Sequence, residues 1–343
     1  MHPNNICAAR AVCALASVAL GILSASPLLA GDGHGHSDRD HSDRGRSDHG
    51  HSGHGQSDYG QSEWSTAVAV TEINSSAGDG CPHEAEDGLS IFIASPRDGS
   101  LGSNDIWAAD RASIDAPWGE PRNLGEPVNS AFADFCPTPA LGRSLFFVSE
   151  RPGDGTGPTP CGGGDIYLSR QSPAGGWGEP QLLPCWPDGP NTPGGERSPS
   201  YVETWYGTFL FYSTNDTGTD QDIYVSQLGR DGKFGPGLRL AALSLAGYDD
   251  LMPNVRTRED GALEMVFSSN RETWGRNRKA AGGQDVYVSY SWLPTRGWSA
   301  PVNLGDAVNT AGSEQRATLS HDGKRLYFGR NGDIFMSRRQ GRR

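Results

Sequence analysis

The sequence predicts an all-β chain, a five-bladed β-propeller of four-stranded blades whose N-terminal strand closes the last blade. Three observations predict it. One phrase recurs five times along the chain. Its apolar runs are short, alternate with polar residues and are bounded by Gly, Asp, Asn and Pro, the pattern of half-buried strands between turns. Finally, the fourth run of the phrase is missing after the fifth copy, while a stray copy of it, EWSTAVAVTEINSS from Glu63, stands at the start. A period of about 56 residues with four strands per unit is the signature of radial repetition, and pairing the two chain ends in one blade removes an exposed sheet edge.

Ahead of the repeats lie two segments of other character. Residues 1–30 carry Arg10 as their only formal charge, then the apolar run AVCALASVALGIL and small residues to Ala30, the layout of a secretory signal peptide. The run ends in Ser24, Ser26 and Pro27, too soon for a membrane span, so the mature chain is expected to have none. Residues 31–63 repeat a five-residue phrase of His, Ser, Asp and Gly with almost no apolar surface, which predicts a disordered tether. Its histidines, His34, His36, His41, His49, His51 and His54, are candidate ligands for a transition metal, although no spacing selects one.

The first run of each repeat opens with an acid three residues before Pro: DGCP, DFCP, ERSP, DLMP, and EQRA in the fifth copy. The second reads LSIFIAS, SLFFVS, TFLFYS, LEMVFSS and RLYFG, and the third NDIWAAD, GDIYLSR, QDIYVSQ, QDVYVSY and GDIFMSR. The fourth begins at Trp118, Trp177, Phe234 and Trp298, running to VNS after Trp118 and VNT after Trp298 and being degenerate, FGPGLRLAAL, from Phe234. The propeller is placed at residues 64–338, followed by a basic tail over 339–343. This phrase resembles that of the TolB-like (WD40-like) propeller repeats. The resemblance implies a propeller that binds protein or cell-envelope partners, but this chain has five units and only a tether in front.

Net charge is −12, which excludes a general nucleic-acid binder, since that needs Lys and Arg to displace counterions. Removing the leader leaves four cysteines, and an even number in an exported chain predicts two disulfides. Cys161 with Cys185 would pin the long loop of the second blade; Cys81 with Cys136, at one repeat position in adjacent blades, is the second pair.

Because first strands line a propeller's channel, Asp79, Asp134, Glu196, Asp250 and Glu314 are predicted to ring one mouth. Such a ring could hold Ca, which favours several oxygen ligands, or furnish an acid and a base for glycoside cleavage; its presence in every copy argues instead for a turn-capping role. The third-strand acids Asp105, Asp165, Asp222, Asp285 and Asp333 are expected to accept turn amides and the arginines Arg97, Arg151, Arg271 and Arg330, with Asn215 in the third copy. Asn215–Asp222 resembles a calcium loop only faintly. Where the symmetry breaks, the long loop of the fourth copy gathers Trp274 with Arg271, Arg276, Arg278 and Lys279, a composition suited to a partner surface. His83 and His321 are the histidines of the folded part, His321 on the face opposite the acid ring, and no nucleophile, phosphate-loop or dinucleotide motif is present.

These features lead to two readings. The first is an exported, periplasmic or secreted, monomeric, non-catalytic module needing no cofactor, whose loop face binds a protein or a cell-wall polysaccharide. The second is a carbohydrate-active, glycosidase-like enzyme with carboxylates at the channel mouth. Two of Asp134, Glu196 and Asp250 at catalytic spacing with unequal pKa values would favour the second, and five equivalent bonded acids would disfavour it.

Overall fold

Every apolar run of the repeated phrase forms a strand. The computed structural model describes residues 64–140, 143–153, 159–216, 218–272 and 283–341. After β1 (Val68–Ala69), the first blade comprises β2 (Gly80–Glu84), β3 (Ser90–Ser95), β4 (Asp105–Asp110) and β5 (Arg122–Asn123). The second is β6 (Asp134–Ala140), β7 (Ser144–Ser149), β8 (Asp165–Arg170) and β9 (Gln181–Leu182). The third is β10 (Arg197–Thr204), β11 (Gly207–Thr214), β12 (Asp222–Gln227) and β13 (Leu238–Arg239). The fourth is β14 (Asp250–Thr257), β15 (Leu263–Ser269), β16 (Asp285–Ser291) and β17 (Val302–Asn303). The fifth takes β18 (Glu314–Leu319), β19 (Arg325–Arg330) and β20 (Asp333–Arg338) from the C-terminus and β1 from the N-terminus. Each blade is an antiparallel meander, the innermost strands of neighbouring blades pack together, and β18 packs on β2. The result is a closed five-bladed propeller.

The stray copy at the start does what its sequence implies. Val68 pairs with Met336 and Ala69 with Phe335, and Trp64 bridges Arg339. Trp64 takes the place in the fifth blade that Trp118 and Trp298 take in the first and fourth, and all three are buried. Arg339, which the sequence assigned to the tail, is part of the propeller: its guanidinium lies 4.7 Å from the centre of the Trp64 ring and pairs with buried Glu264.

The repeated asparagine has a specific task. Asn129 Oδ1 accepts the Ile106 amide at 2.8 Å while its Nδ2 donates to the Ile106 carbonyl at 2.9 Å. Asn191, Asn309 and Asn74 bind Ile166, Val286 and Ile334 in the same way, so this side chain satisfies the backbone where the short fourth strand ends. The apolar core lies between blades rather than at the axis. Phe209, Phe211 and Ile223 of the third, for example, pack on Leu263, Met265, Phe267 and Trp298 of the fourth.

Each first strand carries a bulge at the same place. Cys81, Cys136, Ser198, Met252 and Arg316 have φ of 49°, 52°, 46°, 58° and 57°, and the register of every first strand shifts there. A bulge bends the strand and re-aims its side chains, and here it turns them into the channel. Pro82, Pro137, Pro199 and Pro253 follow, with Ala317 in the fifth blade, and the Cys81–Cys136 disulfide crosses between the first two. Free space at this waist is only about 20 Å³, so the two mouths of the channel are separate sites. Cys161 and Cys185 form the second disulfide. Among the described residues no helix is long and apolar enough to cross a membrane.

Candidate functional site

The ring acids are held by their own blades. Asp134 Oδ2 accepts the Ser130 amide at 2.6 Å, and the Thr192 and Thr310 amides reach Glu196 and Glu314 at 3.1 Å; Asp79 and Asp250 accept the amides of Ser75 and Leu245. Their second partners are the arginines that follow the second strands: Arg97 on Asp79, Arg151 on Asp134, Arg271 on Asp250 and Arg330 on Glu314. This corrects the expected pairing of those arginines with the third-strand aspartates. Asp105 accepts a turn amide and a fourth-strand side chain instead, Leu101 N and Asn123 Nδ2, both at 2.7 Å, and Asp165 accepts the turn amide of Cys161 at 2.8 Å. Asp222 receives Arg239, and Asp285 receives Asn303.

Glu196 differs from its four counterparts. Asn215 replaces the arginine and turns its Oδ1 to the Gly195 amide at 2.8 Å, leaving Glu196 Oε2 buried without a hydrogen-bond partner. Burial pushes this carboxyl up to about 7, against the hydrogen bonds it accepts from Thr192 and Thr214. Asp250 is also raised by burial, in spite of Arg271 beside it. Being fully buried, Glu196 has no path to a substrate.

Of the surface cluster expected in the fourth blade, Trp274, Arg276, Arg278 and Lys279 lie outside the described residues, as do His34, His36, His41, His49, His51 and His54. Arg271 is not on the surface: it is fully buried on Asp250 beneath the Phe267 and Tyr287 rings. Among the described residues no group of three His, Cys, Asp or Glu side chains is placed to hold a metal ion.

Carboxylates free of arginine stand at the other mouth, where the hairpins joining first and second strands meet around a cavity of about 580 Å³. All five blades contribute to it. Glu84 lines it but is buried and held by Arg111 at 2.9 Å and Arg325 at 2.7 Å. Glu86, Asp87 and Glu203 are exposed. Glu203 Oε1 accepts the Tyr201 hydroxyl at 2.6 Å, Glu86 Oε1 lies 3.5 Å from His321 Nε2, and Asp87 Oδ1 caps the Leu89 amide at 2.8 Å. Burial pushes Tyr201 up to about 12, with Glu203 adding to it. His83, between waist and mouth, is lowered to about 4 by burial and is neutral at physiological pH. At the tip of the β10–β11 hairpin, Trp205 is 92% exposed and Tyr206 56% exposed. Exposed aromatic rings beside free carboxylates and a sugar-sized cavity have the makings of a glycan site, since stacking on a ring face and polar contacts at its edge are what a sugar offers.

No protein-family model and no curated protein matches the chain. Solved structures do. A thermostable family-43 glycoside hydrolase aligns over 78% of this chain and 91% of its own with a TM-score of 0.52 at 13% identity. An exo-1,5-α-L-arabinanase from a bovine ruminal metagenomic library aligns over 77% and 93% with a TM-score of 0.51 at 12% identity. An α-L-arabinofuranosidase from Podospora anserina, solved with cellotriose, aligns over 77% and 91% with a TM-score of 0.50 at 13% identity. At such identity the likeness establishes a shared fold. It also corrects the expectation of a non-catalytic module, since these three structures, which share the fold over nearly their whole length, are a glycoside hydrolase, an arabinanase and an arabinofuranosidase.

Proposed function

We propose that this chain is a carbohydrate-active propeller of the glycoside-hydrolase kind, working at the hairpin mouth. One observation carries the reading: Glu86, Asp87 and Glu203 are carboxylates with no arginine partner that line one cavity, and the hairpin that carries Glu203 ends in exposed Trp205 and Tyr206. Glycoside cleavage needs two carboxyl groups in different protonation states. The Tyr201 hydroxyl donates to Glu203 Oε1 and orients this carboxylate at the cavity, which makes it the candidate base or nucleophile. Glu86, whose Oε1 lies 3.5 Å from His321 Nε2, is the second carboxyl group of the pair. Trp205 and Tyr206 extend the site along a chain of sugar rings. The solved neighbours make arabinofuranosyl linkages the first substrates to try. The disulfides and the apolar leader support action outside the cytoplasm, in the periplasm or medium.

The test is release of reducing sugar from arabinan, arabinoxylan and a panel of other polysaccharides by the full chain. Glu203→Gln is expected to lower kcat by about 10²- to 10⁴-fold, the usual weight of general acid–base catalysis. Trp205→Ala should raise KM with little change in kcat. Hydrolysis that survives Glu203→Gln and Glu86→Gln together would remove the site, and absence of hydrolysis on every polymer would remove the reading.

A further inference from the structure

Two arginines converge on the acid-ring mouth with no acid of their own. The bulged first-strand position is Cys81, Cys136, Ser198, Met252 and Arg316 in blades one to five, so a single blade places a charge there. A requirement of the fold would repeat with the blades, and this one does not. The Arg316 guanidinium lies against Gly80, where a Cβ would stand 3.4 Å from its Nη1. The side chain passes over the first blade until its Cζ lies 5.8 Å from the centre of the Phe135 ring of the second. Arg197 of the third blade approaches the same ring at 5.3 Å and donates Nη1 to the Glu196 carbonyl at 2.7 Å.

Neither arginine makes an ion pair among the described residues, and Arg316 Nε is buried with no acceptor. The buried arginines all have acids: Arg111 and Arg325 share Glu84, and Arg271 holds Asp250. Burial, with Arg197 adding to it, lowers Arg316 to about 10, so it is still a cation at neutral pH. A half-buried guanidinium with no counter-charge is ready to accept one from a ligand, and it matches an oxyanion in shape as well as charge. Arg316 opens onto a cavity of about 690 Å³ whose other polar walls include Asn104, Ser313, Gln315 and Asn331; its acid Asp79 is taken by Arg97. A bare ion would leave most of that space unfilled, whereas the amides and the hydroxyl offer hydrogen bonds to a hydroxylated molecule.

We propose that the acid-ring mouth binds a sugar acid, its carboxylate on Arg316 and Arg197 and its hydroxyl groups on the amides of Asn104, Gln315 and Asn331. This site lies beyond the plugged waist from the hairpin mouth, and it stands whether or not that mouth hydrolyses glycans.

Calorimetric titration of the full chain with galacturonate, with galactose and inorganic phosphate as comparison probes, tests the proposal. Galacturonate is expected to bind, galactose to give no heat, and phosphate to bind at least tenfold more weakly. Arg316→Gln should weaken galacturonate by tenfold or more at an unchanged circular dichroism spectrum. Arg197→Gln and Gln315→Ala ask the same question from the neighbouring walls should Arg316→Gln fail to fold. Glu203→Gln, at the opposite mouth, should leave the titration untouched. No heat with galacturonate, phosphate binding as tightly as galacturonate, which would mean an adventitious ion only, or full affinity in the arginine variants would each overturn it.

Discussion

At the scale of the residue, the informative positions are those where one blade departs from the other four. Asn215 stands where four blades carry arginine, and the consequence falls on Glu196, raised from 4.5 to about 7 chiefly by burial. The unfolded chain releases this proton near 4.5 and the folded chain only near 7. The stability tied to the protonated carboxyl is therefore complete below pH 4.5 and declines as pH rises through 7, by on the order of 3 kcal/mol. Glu196→Gln keeps an oxygen for Thr192 and cannot ionise, so its urea midpoint should hold between pH 5 and pH 8 where the parent's falls. Parallel midpoints in the two proteins would show that Glu196 does not titrate there. Arg271 with Asp250 is the opposite case, a pair with neither side chain exposed. Arg271→Ala strands a buried carboxylate and is expected to cost about 3–5 kcal/mol in equilibrium unfolding.

At the scale of the element, the repeat made the strands, the blade count and the closing strand legible, because each phrase has to satisfy the same backbone in the same way. Both disulfides were legible too, one from its repeat position and one from the loop it pins. What the sequence hid depends on side-chain direction. Arg97 lies close in sequence to both Asp79 and Asp105, and only the pleat and twist of the blade decide that it faces Asp79. The hairpin-mouth residues were harder still, since Glu86, Trp205 and His321 fall in the turn between first and second strands, where each copy carries a different residue and the turn reads as an ordinary connection. The disulfides also make a measurable contrast. Cys81–Cys136 closes 55 residues between two blades and Cys161–Cys185 closes 24 within one. Restriction of the unfolded chain alone gives about 4 kcal/mol for the longer loop and about 0.7 kcal/mol less for the shorter. Cys81→Ser with Cys136→Ser should thus lower the unfolding free energy at least as much as the second pair of changes. A smaller loss would mean that the inter-blade bridge is not formed in the native protein.

At the scale of the whole molecule, site and closure are one problem. The hairpin mouth takes His83 and Glu86 from the first blade, Tyr201 and Glu203 from the third, Asn254 and Arg256 from the fourth and His321 from the fifth. The 3.5 Å approach of Glu86 to His321 spans the seam between the first and last blades. That seam is held by β18 packing on β2, while the last blade is completed by β1, Asn74 and Trp64. Loosening the closing strand should therefore act on the mouth without touching any residue that lines it. Trp64→Ala removes a buried indole and is expected to cost about 3–5 kcal/mol. Adding Asn74→Ala takes its partner from the Ile334 amide, while the Ile334 carbonyl keeps the Val70 amide, and it weakens the hold of the closing segment on the edge of β20, which other chains could then pair with. The double variant should unfold at lower temperature, associate as concentration rises and lose polysaccharide hydrolysis at the same midpoint at which it loses structure. If hydrolysis persisted in a double variant whose thermal transition had collapsed, the mouth could not be assembled from five blades, and a site confined to one blade would have to replace it.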